Sequence, residues 1–274
     1  MTSNIIEARL ITPFEKELFN AALANINDSS NKLRLNNFAY AIRELSRHFL
    51  KRLAPDEEVK KCPWYKNIIG DPNKISRRER IIYAIQGGLD NNYIRNKLKI
   101  DPTQTLKKFS NIIDKLNSYT HINHNTFNVS NSDIEISKSE ILEVLMELFS
   151  FIETSKKAIV EPLQEQIDDE VFAKAIFETS STIDACATHH IVEDVEVYEH
   201  EITIIDSNRI HITAHGNIGV ELQFGSNGDL KRGDGALNSH SFPFTCQFHC
   251  ETISPETLIN EEFDLEVDDS SWFE

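Results

Sequence analysis

The residues best suited to chemistry fall in two short stretches. The first is Arg43–Glu44–Leu45–Ser46–Arg47–His48. On a helix, Arg43 and Arg47 share one face, and Glu44 and His48 share the next. A guanidinium stabilises charge on a phosphoryl group, and an imidazole moves protons near neutral pH. The plainer reading is a solvated helix face with an i,i+4 pair. The second stretch is Asn117–Ser118–Tyr119–Thr120–His121, at the end of a helix that also carries Lys115. A metal-free ribonuclease needs an acid–base group near the 2′-hydroxyl and a cation near the phosphate. His121 and Lys115 are of the right types, although a histidine at a helix C-terminus can simply face the dipole. Arg43 and His121 are the expected catalytic pair, with histidine as general base, and Arg47, His48 and Tyr119 support them. Arg77, Arg78, Arg80 and Lys115 are expected to touch phosphates, with Arg95, Lys97 and Lys99 nearby. The alternative is a non-catalytic module that binds nucleic acid or protein through this same basic surface.

The C-terminal half holds weaker candidates. His189, His190, His200, His211, His215, His240 and His249 gather there with Cys246 and Cys250. The tight paired grouping of zinc sites is missing, and both cysteines fall on a phenylalanine-bearing strand face, so buried thiols are expected and no metal or other cofactor. Residues 225–235 are rich in glycine and carry Lys231 and Arg232. They read as a hairpin loop with turns at Asn227–Gly228 and Asp234–Gly235. Residues 259–274 interleave acids with Phe263, Trp272 and Phe273, a composition that predicts disorder. Lys231, Arg232, Trp272 and Phe273 are the expected partner-binding residues.

The elements that must position these groups are helical first and extended later. Apolar residues recur at helical spacing from Phe14 to Leu23 and from Leu35 to Leu53, where Ala54–Pro55 stops the helix. Ser76 and Glu79 have capping-box spacing before Ile81, Ile82 and Ile85, and Gly87–Gly88 ends that helix. A short helix over 90–99 and a longer one carrying Leu106, Phe109, Ile112, Ile113 and Leu116 complete a helix-turn-helix-like pattern. Residues 121–137 read as loop, 139–152 as an amphipathic helix, and 163–179 as a further helix. After residue 188 the period falls to two. Ile210, Ile212, Ala214, Ile218, Val220 and Leu222 share one parity, and Phe242, Phe244, Cys246, Phe248 and Cys250 repeat it, which predicts antiparallel strands with bends or bulges at Gly216 and Gly219. The class is α+β: an N-terminal α-helical bundle followed by a small antiparallel β domain, as a sandwich or a curved sheet. The expected divisions are a basic helical domain over 1–128, connecting helices over 129–187, the β domain over 188–258 and an acidic disordered tail over 259–274.

Charge divides the same way. Residues 1–128 hold 21 Lys+Arg against 13 Asp+Glu, and the remainder hold 7 against 31. Basic surface attracts phosphate backbones and acidic surface repels or mimics them. No apolar run is long enough to span a membrane. The first residues lack the pattern of an export signal, and the four cysteines are scattered, so reduced thiols and a cytoplasmic location are expected.

Two resemblances follow from these residues. The helices bearing Arg43 and Tyr119–Thr120–His121 resemble the HEPN (higher eukaryote and prokaryote nucleotide-binding) superfamily, helical bundles, often dimeric, that include many metal-independent ribonucleases. Their signature is an arginine, four to six intervening residues, then a histidine. Arg43 and His48 have that spacing on an early helix, and Lys115 and His121 have it on a later one with lysine in place of arginine. The run Val220–Glu221–Leu222–Gln223–Phe224–Gly225–Ser226, the segment 229–235 and Ser241–Phe242–Pro243–Phe244 resemble the predicted nucleases encoded beside prokaryotic PIWI-type proteins, as do Cys62–Pro63–Trp64–Tyr65 and residues 82–88. These resemblances imply a metal-independent ribonuclease effector in prokaryotic defence against phage or plasmids. Its acidic β domain would act as sensor or partner-binding module; alternatively the chain is a non-catalytic adaptor subunit of a defence complex. The implied partners are RNA or another nucleic acid, a further defence-system protein and a second copy of the chain.

Overall fold

The computed structural model describes residues 2–177, 181–259 and 265–272. The chain forms two compact units, 1–155 and 156–274. The helix expected over 139–152 lies within the first of these units, whereas the sequence-based division placed it in a connecting segment over 129–187.

The first unit is helical: α1 (Thr2–Arg9), α2 (Pro13–Asn27), α3 (Arg34–Leu53), α4 (Asp56–Lys61), α5 (Arg77–Gln86), α6 (Thr103–Thr120) and most of α7 (Asn131–Val160). α3 is its centre and packs against α2, α5 and α6. Its stripe of Leu35, Phe38, Ala39, Ile42, Leu45, Phe49 and Leu50 is buried, which leaves Arg43, Arg47 and His48 outside the core. Thr12 caps α2 and Pro13 opens it. α7 starts earlier than its apolar pattern indicates. Ser130 and Asp133 are hydrogen-bonded at its start, so a polar first turn extends the helix into the expected loop. The short helix expected over 90–99 is a single π-turn, Tyr93–Lys97.

The segment between α3 and α5 is held by a small core of Ala54, Val59, Cys62, Trp64, Ile75 and Tyr83. The Trp64 indole donates to the Gly87 carbonyl at 2.7 Å, tying the loop after α4 to the end of α5. At the other end of α5, Ser76 and Glu79 form the capping box. The Glu79 carboxylate also accepts from the Ile68 backbone at 3.3 Å, so the 68–76 loop is fixed where it faces α3.

The second unit contains α8 (Gln164–Phe177), α9 (Ser181–Asp184) and an antiparallel sheet in the order β1 (His189–Ile205), β2 (Arg209–Phe224), β3 (Ala236–Glu251), β4 (Leu265–Val267). The alternating residues of β2 and β3 form its buried face. The bends expected at Gly216 and Gly219 appear as register shifts on β1, next to the residues that pair with those glycines. The reason at Gly216 is space: a Cβ there would lie 2.2 Å from the Glu196 carbonyl oxygen and 2.3 Å from the Phe244 ring.

Two expectations change in this unit. Residues 225–235 are not a plain hairpin loop, because α10 (Asn227–Arg232) lies within them. Ser226 and Asp229 form a capping box, and Gly233 ends the helix in the left-handed region. The same Ser, Asp and Gly types that mark turns also mark the ends of a short helix. The tail is also ordered where it is described. Leu265 and Val267 pair with Cys246 and Phe244, and Trp272 packs on Phe224, Phe242 and His240. An acidic segment acquires order here by adding a strand to an open edge, which composition does not reveal. Phe263 and Phe273 lie outside the described residues. No helix among the described residues is long and apolar enough to cross a membrane.

Candidate functional site

Arginines from two helices converge in the first unit. On α3, Glu44 is the carboxylate between Arg43, at 3.5 Å, and Arg47, at 3.1 Å. Arg77, the first residue of α5, lies close enough to feel both arginines. Burial holds the Arg77 pKa below its ordinary value; Arg43 and Arg47 push it the same way, and Glu44 and Asp114 oppose them. An arginine remains charged through such a shift, so the cluster carries three guanidiniums around one shared carboxylate. The Nε atoms of Arg43 and Arg77 are buried and have no hydrogen-bond partner among the described residues. Leaving a buried charged donor unmatched is costly; of the two arginines, only Arg77 lines the adjoining cleft, where its guanidinium would meet a bound anion.

That cleft measures about 620 Å³ and lies between α3 and the loop that leads into α5. Arg47, His48 and Lys51 form one wall, and Lys74, Ser76 and Arg77 form the other. His48 is exposed, and its ring meets the Phe14 ring edge-on at a centroid distance of 4.8 Å. A phosphodiester in this cleft would meet cations on both sides with an imidazole beside them.

The remaining sequence-predicted groups divide clearly. Arg78 is exposed at the mouth of a second groove that also contains Arg77. Arg80 touches the large cleft, but its guanidinium is spent on structure: it donates to the Ala54 carbonyl at 2.5 Å and to Asp56 at 2.6 Å. Lys115 is paired with Glu140 of α7. The Tyr119 hydroxyl is 3.3 Å from that of Ser137, and the Tyr119 carbonyl accepts from the Asn36 side chain at 2.8 Å.

This last bond separates the expected catalytic pair. It sets the start of α3 beside the end of α6, so the two helices run antiparallel. Arg43 is seven residues beyond Asn36, which at 1.5 Å per residue is about 10 Å along the axis, whereas His121 lies past Tyr119 in the opposite direction. That offset sets Arg43 and His121 apart along the two helices of one chain, and Tyr119 stays with His121. Arg43, Arg47 and His48 remain together because they share α3. The sequence reading placed Arg77 only as a phosphate contact; its position at the start of a capped helix was the signal that it is fixed in place.

In the second unit, Arg232 is engaged by Asp229 at 2.5 Å and Asp234 at 3.5 Å, whereas Lys231 is exposed. Trp272 is taken up by its packing on β2 and β3. Burial pushes the Cys246 thiol up to about 12 and the Cys250 thiol to about 11, so both are inert at neutral pH. Among the described residues, no three His, Cys, Asp or Glu side chains converge in a way that could hold a metal ion.

No curated protein and no solved structure matches the chain. Two family models do match it, both described as predicted pPIWI-associating nuclease, one over residues 7–145 and the other over residues 152–273. The point where they meet lies close to the boundary between the two compact units. With nearly its whole length matched under one description, the chain belongs to the family of predicted pPIWI-associating nucleases.

Proposed function

We propose that the first unit binds the phosphate backbone of RNA in the cleft between α3 and α5 and cleaves it without a metal ion. The observation that carries this reading is the placing of Arg47 and His48 on one wall of the cleft and Arg77, with its buried and unmatched Nε donor, on the other. They stand in a cluster that holds more positive than negative charge. His48 is the proton-transfer group. Arg47 and Arg77 bind the scissile phosphate and stabilise the charge that builds on it as the 2′-oxygen bonds to phosphorus and the 5′-oxygen leaves. His48 takes the proton from the first oxygen and returns it to the second. Arg43 supports them from behind. In this reading His121 and Tyr119 are not catalytic. The acidic second unit repels nucleic acid and serves as the partner-binding or sensing part, in a defence setting consistent with the family description.

Purified full-length protein is incubated with single-stranded RNA in the presence of a chelator. Cleavage is expected to persist with chelator and in His121→Ala. It should fall by about a hundredfold in His48→Ala and Arg77→Ala, the scale of losing one transition-state contact. Equal loss in His121→Ala and His48→Ala would overturn the assignment. Salt-sensitive binding with no turnover in the wild type would instead support the adaptor reading.

A further inference from the structure

A second groove of about 230 Å³ runs between α5 and α6, and Arg77 lines both it and the large cleft. Its floor is apolar: Ile81 from α5 and Leu106, Phe109 and Ile113 from α6, all buried. Its rim is polar: Ser110, Asp114 and Asn117 follow one another at four- and three-residue steps, so α6 presents them on one face. Asp114 is exposed on this rim and forms no hydrogen bond or ion pair with any described residue; it lies near enough to Arg77 to counter the fall in that residue's pKa. A solvent-exposed carboxylate with no partner among the described residues, at the edge of an apolar floor and next to a phosphate-type cleft, has a specific chemical complement.

Resting on the proposed phosphate cleft, we infer that this groove reads one base of the bound strand and selects guanine. Small-molecule sites usually exceed roughly 300 Å³, so the groove takes a fragment the size of a base, not a whole nucleotide. The flat face of the base lies on Ile81 and Ile113, and its phosphate stays with Arg77. The Asp114 carboxylate offers two acceptors and no donor. Guanine is the common base with two adjacent donors on its Watson–Crick edge, N1–H and the N2 amino group. Adenine and cytosine each place an acceptor beside their donor, and uracil flanks its single donor with two carbonyls, all of which a carboxylate repels. Asn117, one turn further on, supplies the amide donor for the guanine O6. Unpaired RNA bases are commonly recognised on these edges.

The test uses full-length protein and short 2′-O-methyl oligouridylates, which lack the attacking 2′-hydroxyl and so report binding alone. Each carries a single central guanosine, inosine or adenosine, and binding is followed by fluorescence anisotropy. The guanosine oligonucleotide is expected to bind about tenfold more tightly than the inosine one, which lacks the N2 amino group, as for one bidentate base contact. Asp114→Asn should bring that ratio to about one while Arg77→Ala weakens all three oligonucleotides together. A uniform electrostatic role for Asp114 would change every affinity and leave the ratio intact. Equal binding of the three by the wild type, still dependent on Arg77, would overturn the base-reading groove and leave the phosphate cleft standing. No binding of any of them would overturn both.

Discussion

Arg77 and Arg80 lie three residues apart on α5, and both touch the same cleft, yet they have different tasks. The Arg77 Nε is buried without an acceptor, whereas the Arg80 guanidinium is bonded to the Ala54 carbonyl and Asp56. Arg77→Ala is therefore expected to weaken RNA binding and lower the slope of log affinity against log salt by about 0.7, the contribution of one phosphate contact on a single strand, with little effect on melting. Arg80→Ala should do the reverse. Removing it leaves Asp56 without its partner and costs about 1–3 kcal/mol of stability, read by denaturant melting, with the salt slope unchanged. A matching loss of salt slope in both variants would contradict this division. The sequence marked both residues as phosphate contacts because both are arginines on one basic helix; only their neighbours tell them apart.

At the scale of elements, the local rules of the first unit worked well wherever a cap or a helical stripe was present. Ser76 and Glu79 fixed α5, and the stripe of α3 faced inward as its spacing required. They failed where one signal admits two structures, as in the Ser226–Gly233 segment, or where pairing with a distant strand supplied the order, as in β4. In the sheet, Gly216 carries the most specific requirement, since its missing Cβ leaves room for the Glu196 carbonyl and the Phe244 ring. Gly216→Ala is expected to lower the stability of the sheet by about 2 kcal/mol or more through overpacking. Hydrogen exchange of β1 and β2 amides would report it, and unchanged protection would show that the strands absorb the methyl group by shifting.

At the scale of the whole molecule, charge and redox chemistry are distributed unevenly. The first unit, 1–155, holds 22 Lys+Arg and 19 Asp+Glu, and the second holds 6 and 25. The acidic residues of α7 offset most of the positive charge of the first unit, so the proposed attraction for nucleic acid is assigned to the local arginine cluster and not to a broad basic surface. In the second unit the folded state keeps Cys246 and Cys250 protonated well above their ordinary value of 9.0. An unfolded chain ionises them near that value, so their contribution to stability is complete below pH 9 and declines as pH rises from about 9 towards the folded values. Native protein at pH 8 is expected to resist alkylation at both positions and to react once unfolded, with stability falling above pH 9. Prompt modification of Cys246 in the native state would refute its burial.

The sequence by itself determined the α+β class, the order of helices before strands, the faces those elements bury and the basic character of the N-terminal half. Each of these follows from periodicity, caps and charge along a few neighbouring residues. It also placed Arg43, Arg47 and His48 on one helix, since residues a turn apart are already close. Tertiary structure alone decided which distant residues joined them. The antiparallel packing of α3 on α6 carried His121 away from Arg43, and the capped start of α5 brought Arg77 in. The small core around Trp64 and Tyr83 anchors Ile75, which lines the cleft beside Ser76 and Arg77. The physical reason is that helix pattern fixes which face is buried but not how far one helix slides along another, and an active site depends on that offset to within a few ångströms.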